Sequence, residues 1–421
     1  MLDSLRSAVR IDELRSKLLF TLAMLFVFRI GAHIPVPGVN TEVFAKLLQT
    51  GALFGFFDVI SGGAFKNFSI FAMSITPYIN ASIIMQLLTV VIPSLERLAK
   101  EGEEGRKKIV QYTRYLTVVL AFIQAIGISF ALRNQHVLVS PTVGHYLLVA
   151  LTLTAGTAFL MWIGEQITEK GIGNGISLLI FAGIVSRVPA GVVRVVEYLR
   201  AGTINILSVI LLLVIGALVI AAIVAVNEGQ RRIPVQYAKR VVGRRVYGGQ
   251  STHLPLRVNQ AGVIPVIFAS SILMFPEQLA TWFQNTWFGN WYLAFFAWGT
   301  PLHTIIYALL VIGFTYFYTA VIMNPVDIAE NIKKYGGFIP GIRPGRPTAE
   351  YISRVMSRVT LAGAIFLALI AILPNFVLLA TRIPQIYFGG TALLIVVGVA
   401  LDTMKQVESH MLMRSYQGFI R

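Results

Sequence analysis

Long apolar runs alternate with short polar stretches along nearly the whole chain. Ten of them can be delimited, at 18–34, 67–92, 112–132, 146–164, 176–198, 204–226, 258–276, 303–324, 357–380 and 386–401. Most carry no charge and approach the roughly 20 residues that a helix needs to cross a bilayer. The fifth is interrupted in its second half by Arg187, Pro189 and Arg194. A further run, LFGFFDVISGGAFKNF at 53–68, begins like a span, meets Asp58 and stops at Gly62-Gly63. It is half a span set beside a whole one. The first run passes through HIPVPG into more membrane sequence without a small-residue cleavage site, so it is expected to be a span and not a cleaved signal.

Composition turns the pattern into a class. The 421 residues are 56% hydrophobic and 13% charged, with a mean hydropathy of +0.73, too little polar sequence to cover a soluble globule. An all-α integral membrane protein of ten transmembrane helices is expected. With no cysteine there are no disulfides or thiolate metal sites. The net charge of +16 matters less than its placement. The two terminal segments and the alternate connections that would lie with them hold 26 Lys and Arg; the opposite connections hold 7. By the positive-inside rule both termini are cytosolic. Trp282, Trp287, Trp291 and Trp298 fall in one connection without Lys or Arg, as in an aromatic belt at the outer interface. Ten spans divide into two halves, 1–200 and 201–421; five spans in each would make the halves inverted relative to one another.

None of the ten runs has Asp or Glu in its central region: Glu165, Glu277, Asp327 and Asp402 stand at their ends. Ion-coupled transport generally needs such a group at membrane depth. There is no GxxxxGK[ST] phosphate loop and no HExxH zinc motif, so no cofactor, metal or catalytic residue is expected. The irregular chemistry is in three runs. SITPYINASIIMQLL (74–88) places Ser74, Thr76, Asn80, Ser82 and Gln86 among aliphatics, with Pro77 inside the expected helix. KGIGNGISLLIFAG (170–183) and NQAGVIPVIFASS (259–271) follow, the second again with a proline. Ile75 and Ile79 share a helical face, as do Ile176 and Ile180. Spacing alone leaves these as packing positions, and goes no further than a polytopic membrane protein with a polar-faced second helix.

Several long motifs in order are more specific. VFRIGAHIPVPG (27–38), ISGGAFKNFSIFAMSITPYINASIIMQLLTVVIPSLE (60–96), EGEEGRKKIVQYTRY (101–115) and GEQITEKGIGNGISLLIFAGIV (164–185) come first. GQRRIPVQYAKR (229–240), GRRVYGGQSTHLPLRVNQAGVIPVIFASS (243–271), GFIPGIRPGRPTAEYI (337–352) and YFGGTALLIVV (387–397) complete the set. With these the chain resembles the SecY family, central subunits of bacterial protein-conducting channels, along essentially its whole length. The resemblance implies an hourglass pore between two pseudo-symmetric inverted halves. It makes the half-span a re-entrant plug half-helix at about 55–67, with Phe57, Ile60, Gly62, Gly63 and Phe65. It puts an isoleucine ring at the waist, on Ile75, Ile79, Ile176, Ile180, Ile267 and Ile395. It also implies a lateral gate between spans 2 and 7, where Asn80, Ile83, Gln86, Gln124, Ser271 and Phe275 would lie.

Physics accounts for such a design. A charged side chain at the centre of a membrane helix costs about 2.5–3.5 kcal/mol, so a segment with many charges needs an aqueous path. Branched apolar side chains seal that path when idle by dewetting. The resemblance further makes the basic connections 228–257 and 325–356 cytosolic docking loops, with Arg231, Arg232, Lys239, Arg240, Arg244, Arg245, Arg343 and Arg346. Partners implied are the ATPase motor SecA, the ribosome, the small membrane subunits SecE and SecG, unfolded preproteins and membrane lipids. The expected setting is the bacterial cytoplasmic (inner) membrane. The rival reading is an ion-coupled small-solute transporter, and a membrane enzyme stands third.

Overall fold

The computed structural model describes residues 11–41, 43–44, 61–131, 137, 142–237, 240–242, 245–247, 251–282, 286–297, 300–381 and 390–418. Helices dominate. They are α1 (Asp12–Gly31), α2 (Thr76–Val91), α3 (Pro93–Lys100), α4 (Glu103–Ala131), α5 (Val143–Lys170), α6 (Gly175–Ser186), α7 (Val188–Arg200), α8 (Ile206–Glu228), α9 (Ile264–Trp282), α10 (Trp287–Phe296), α11 (Pro301–Ile322), α12 (Pro325–Lys334), α13 (Arg346–Thr381) and α14 (Gly390–Gly418). Among the described residues seven stretches are long and apolar enough to cross a membrane. The count is eight if α2 and α3, bent by 100° at Ile92, form one broken span. The α6–α7 pair is one of the seven, and Arg187 marks its break.

The second apolar run differs from expectation. It is helical only from Thr76, and residues 61–75 run in turns. Pro77 therefore stands in the first helical turn, where its missing N–H breaks no intrahelical bond. Pro265 is likewise the second residue of α9 and not an interior kink; the interior proline of that helix is Pro276. The described part of the expected plug, 61–67, is not helical either. Gly62 and Gly63 take φ of +66° and +91°, which no right-handed helix accommodates.

The connections are more ordered than an all-α reading allows. Between α8 and α9 lie β1 (Gln230–Tyr237), β2 (Arg240–Val242), β3 (Arg245–Tyr247) and β4 (Ser251–Arg257). Between α12 and α13 lies β5 (Gly337–Phe338). β1 is the centre of an antiparallel sheet of order β4-β1-β5, pairing Ile233 with Leu254 and Gln236 with Phe338. The two predicted docking loops are thus one structure. Ile233, Val235, Leu256, Ile332, Ile339 and Ile352 form its own small core. Along β1 the burial alternates from Ile233 on, the period-2 signature of a half-covered strand.

The main core draws on Ile79 and Ile83 of α2, Leu178–Ile180 of α6, Val266, Phe268 and Leu273 of α9, Leu367 of α13 and Leu394–Ile395 of α14. It is one cluster shared by the N- and C-terminal parts of the chain. α9 packs on α2 and α4, and α14 packs on α6 and α8. Outward, α8 exposes Leu207, Leu213 and Leu218, an apolar flank that suits lipid.

The GIGNG turn before α6 is a structural junction. The Ile172 N–H donates to Thr21 Oγ1 of α1 (3.1 Å), and the Gly173 N–H donates to Gln406 Oε1 of α14 (2.7 Å). The Gly175 N–H donates to Thr168 Oγ1, and Asn174 caps α6 by accepting from the Ser177 N–H. With the Gly171 N–H on the Ile167 carbonyl, four of its five backbone donors are committed to protein acceptors.

Candidate functional site

Four of the six predicted ring isoleucines meet at one place. Ile79 of α2, Ile180 of α6, Ile267 of α9 and Ile395 of α14 line a single cavity of about 20 Å³. Ile79, Ile180 and Ile395 are at most 8% exposed. A void of that size holds about one water and admits no polypeptide. The other two do not line it. Ile75 is buried at the N-cap of α2, and Ile176 lies over Gly164 of α5, whose missing Cβ makes room for its Cδ1. The cavity wall carries no acidic side chain.

The described residues of the predicted plug are held from several sides. Arg29 Nη1 of α1 donates to the Gly62 carbonyl at 2.8 Å and to Ser186 Oγ at 3.1 Å. Ser186 Oγ in turn donates to the Gly183 carbonyl at 2.7 Å. Gly62 faces the α6 backbone so closely that a β-carbon there would come 2.7 Å from the Gly183 Cα. Phe65 is buried, its ring edge-on to Phe44 at 5.4 Å, and its N–H donates to Ser61 Oγ. The Val36 N–H donates to the Phe68 carbonyl and the Ile70 N–H to the Ile34 carbonyl, which staples the segment to the HIPVPG stretch. Phe57 and Ile60 lie outside the described residues.

Arg29 was not singled out from sequence. The signal existed, since an ionisable residue inside an apolar helix is a functional candidate by default. The Gly62–Gly183 approach spans more than a hundred positions and leaves no local pattern.

The predicted gate residues fall along the α2–α9 contact and its α4 flank. Ile83, Gln124 and Ser271 are buried, Asn80 and Gln86 half-buried, and Phe275 exposed. Ser271 also lines the cavity between the four isoleucines. On the sheet, Arg231 and Arg232 are exposed at the start of β1. Arg343 is exposed on a loop between Gly341 (φ +80°) and Gly345 (φ +105°), and its carbonyl accepts from Thr348 Oγ1 at 2.8 Å. Arg346 is exposed and paired with Glu350 at 3.2 Å. Lys239 and Arg244 lie outside the described residues, and Arg240 and Arg245 are described only as backbone of β2 and β3.

Comparison with known proteins places the chain in a family. The SecY family model matches residues 69–404. The chain is 52% identical to the protein translocase subunit SecY of Halalkalibacterium halodurans, over all of both chains. It is 50% identical to that of Escherichia coli K12, over 98% of this chain and 95% of the other. Among solved structures, one described as a protein conducting channel superposes with a TM-score of 0.69 at 20% identity, covering 94% of this chain and 92% of that one. A second, concerned with the plug domain of SecY and the closed state of its channel, gives 0.68 at 21% identity over the same shares. Sec61 in a canine ribosome-channel complex gives 0.65 at 19% identity, again over 94% and 92%. At those identities the structures speak for the fold.

Proposed function

The chain belongs to the SecY family, and from that premise we propose that it is the channel through which unfolded preproteins cross the membrane and from which hydrophobic segments leave sideways. It is a protein translocase subunit, not an enzyme. The observation that carries the mechanism is the convergence of Ile79, Ile180, Ile267 and Ile395, from four helices of both halves, on one cavity of about 20 Å³. A thin apolar layer confines the barrier to a single level and gates by dewetting. It offers a passing chain no specific hydrogen bonds, which suits a conduit for any sequence.

Ten spans follow if α1 and α9 join the eight candidates. α1 is 20 residues long, about 30 Å of helix, although Arg15, Lys17 and Arg29 lower its apolar character. The spans divide at about residue 200 into inverted halves whose seam, between α2 and α9, is the lateral exit. Residues 55–67 are the plug, with Gly62 held against α6 as its docking point. The excess of Lys and Arg in one set of connections supports cytosolic termini in the bacterial cytoplasmic membrane. The sheet joining both docking loops presents Arg231, Arg232 and Arg343, fit for ribosomal RNA or an acidic motor surface such as that of SecA. The Sec61 neighbour in its ribosome complex supports the ribosome as a partner. The exposed apolar flank of α8 suits lipid or single-span subunits of the SecE and SecG kind.

Vesicle uptake tests the function. Reconstituted with its small subunits, the protein is expected to import an unfolded preprotein only when the motor and ATP are present. A small solute driven in by an ion gradient, with no preprotein import, would favour the transporter reading.

A further inference from the structure

The waist cavity is not walled by aliphatic side chains alone. Thr76 in the first turn of α2, Ser270 and Ser271 in α9 and Thr391 in the first turn of α14 also reach it. These four are 8%, 7%, 4% and 8% exposed, so each is more than nine-tenths buried. Ser270 Oγ donates to the Ile267 carbonyl at 2.8 Å and keeps its lone pairs for a donor. Among the described residues the hydroxyls of Thr76, Ser271 and Thr391 have no protein partner, and none is among the oxygens sealed away from water. A hydroxyl without a protein partner that a water can reach takes its hydrogen bond from that water. A cavity holds a water when it offers one probe sphere of room and two to four polar groups, and both conditions are met at about 20 Å³.

We propose that these hydroxyls form a water-holding shelf beside the isoleucine ring, and that the shelf sets how readily the waist wets when a polar segment enters. The inference rests on the waist reading above and deepens it. An all-aliphatic constriction stays dry until enough space opens for several waters to enter together. A shelf with one bound water gives the next waters something to join. Thr76 comes from one half and Thr391 from the other, so both halves contribute to it. Polar and charged segments, which carry their own hydration, depend on it. Apolar segments do not.

The test compares two double variants in the reconstituted translocase. Thr76→Val with Thr391→Val removes two hydroxyls at nearly constant volume, and Thr76→Ser with Thr391→Ser keeps them. Two preproteins are followed, differing only in whether a central segment is strongly charged or uncharged. The expected result is that the valine pair slows the charged preprotein about threefold relative to the uncharged one, the scale of one lost hydrogen bond. The serine pair should preserve the parent's ratio. Equal ratios for parent, valine and serine channels would overturn the shelf, as would a serine pair that changes the ratio as much as valine does. If the valine channel assembles poorly, a high-resolution map of the parent complex decides instead: density within hydrogen-bond distance of Thr76 and Thr391 is expected, and an empty waist overturns the inference. A parent that imports neither preprotein would instead overturn the channel reading itself.

Discussion

Replacing Gly62 by valine is expected to unseal the idle channel, raising its ion leak by a factor of ten or more. Gly62 adopts φ +66°, a conformation that costs an L-residue roughly 1–2 kcal/mol. Its new β-carbon would also meet the Gly183 Cα at 2.7 Å, and backbone cannot swing away as a side-chain tip can. Overpacking of this kind costs about 1–3 kcal/mol more. The docked segment thus loses roughly 2–5 kcal/mol against the undocked one, and each 1.4 kcal/mol is a factor of ten in population. The isoleucine layer remains, so the leak stays well below that of an open pore. Ion flux through vesicles carrying the idle complex measures it, with Arg29→Leu as a companion that removes the hydrogen bond to the Gly62 carbonyl. A Gly62→Val channel as tight as the parent would mean that the seal does not depend on this docking point.

Reversing the charge of Arg343 is expected to cut motor-driven import more than tenfold while leaving the protein level and idle leak unchanged. The loop around it is shaped by backbone: Gly341 and Gly345 supply the positive φ values, and the Arg343 carbonyl, not its guanidinium, takes the Thr348 hydroxyl. The side chain is exposed, so Arg343→Glu disturbs no packing. Like charges facing each other in an interface cost several kcal/mol, enough for the stated loss. Raising the salt should weaken parent docking and narrow the difference between parent and variant. Import by Arg343→Glu at the parent's rate would remove this loop from the docking surface.

Much of this architecture is legible in the chain because membrane helices announce themselves by length. A 20-residue apolar run has few alternatives in lipid, where every backbone group must be satisfied within the segment. The second run misleads at its start. Residues 67–75 are as apolar as the helix that follows, yet they are turns stapled to residues 34–36, and hydropathy does not distinguish buried irregular backbone from helix. The sheet over the docking loops had a signal. Ile233, Val235 and Tyr237 recur at every second position, as do Leu254 and Leu256, but Pro234 and Pro255 stand between them and weaken the strand signal.

Candidate residues divide in the same way. Ile79, Ile180, Ile267 and Ile395 are single positions on four separate helices, and nothing local says that they converge; the family resemblance pointed to them. Thr76, Ser270 and Thr391 read as ordinary hydroxyls in apolar helices, since a helix tolerates them on any face. Only the packing of α2, α9 and α14 brings them to one cavity. Arg29 and Gly62 lie 33 positions apart and meet through a fold-back that the sequence marks only by its two glycines.

The absence of native cysteine makes the most direct test a clean one. A single cysteine replaces Ile79, a preprotein carrying one cysteine is stalled halfway across, and the complex is oxidised. Leu212 of α8, away from the waist cavity, takes the control cysteine. A disulfide adduct through position 79 and none through 212 is the predicted result, because the chain must pass the isoleucine layer. Import that proceeds normally with no adduct at 79 would contradict the account and put the polypeptide path elsewhere.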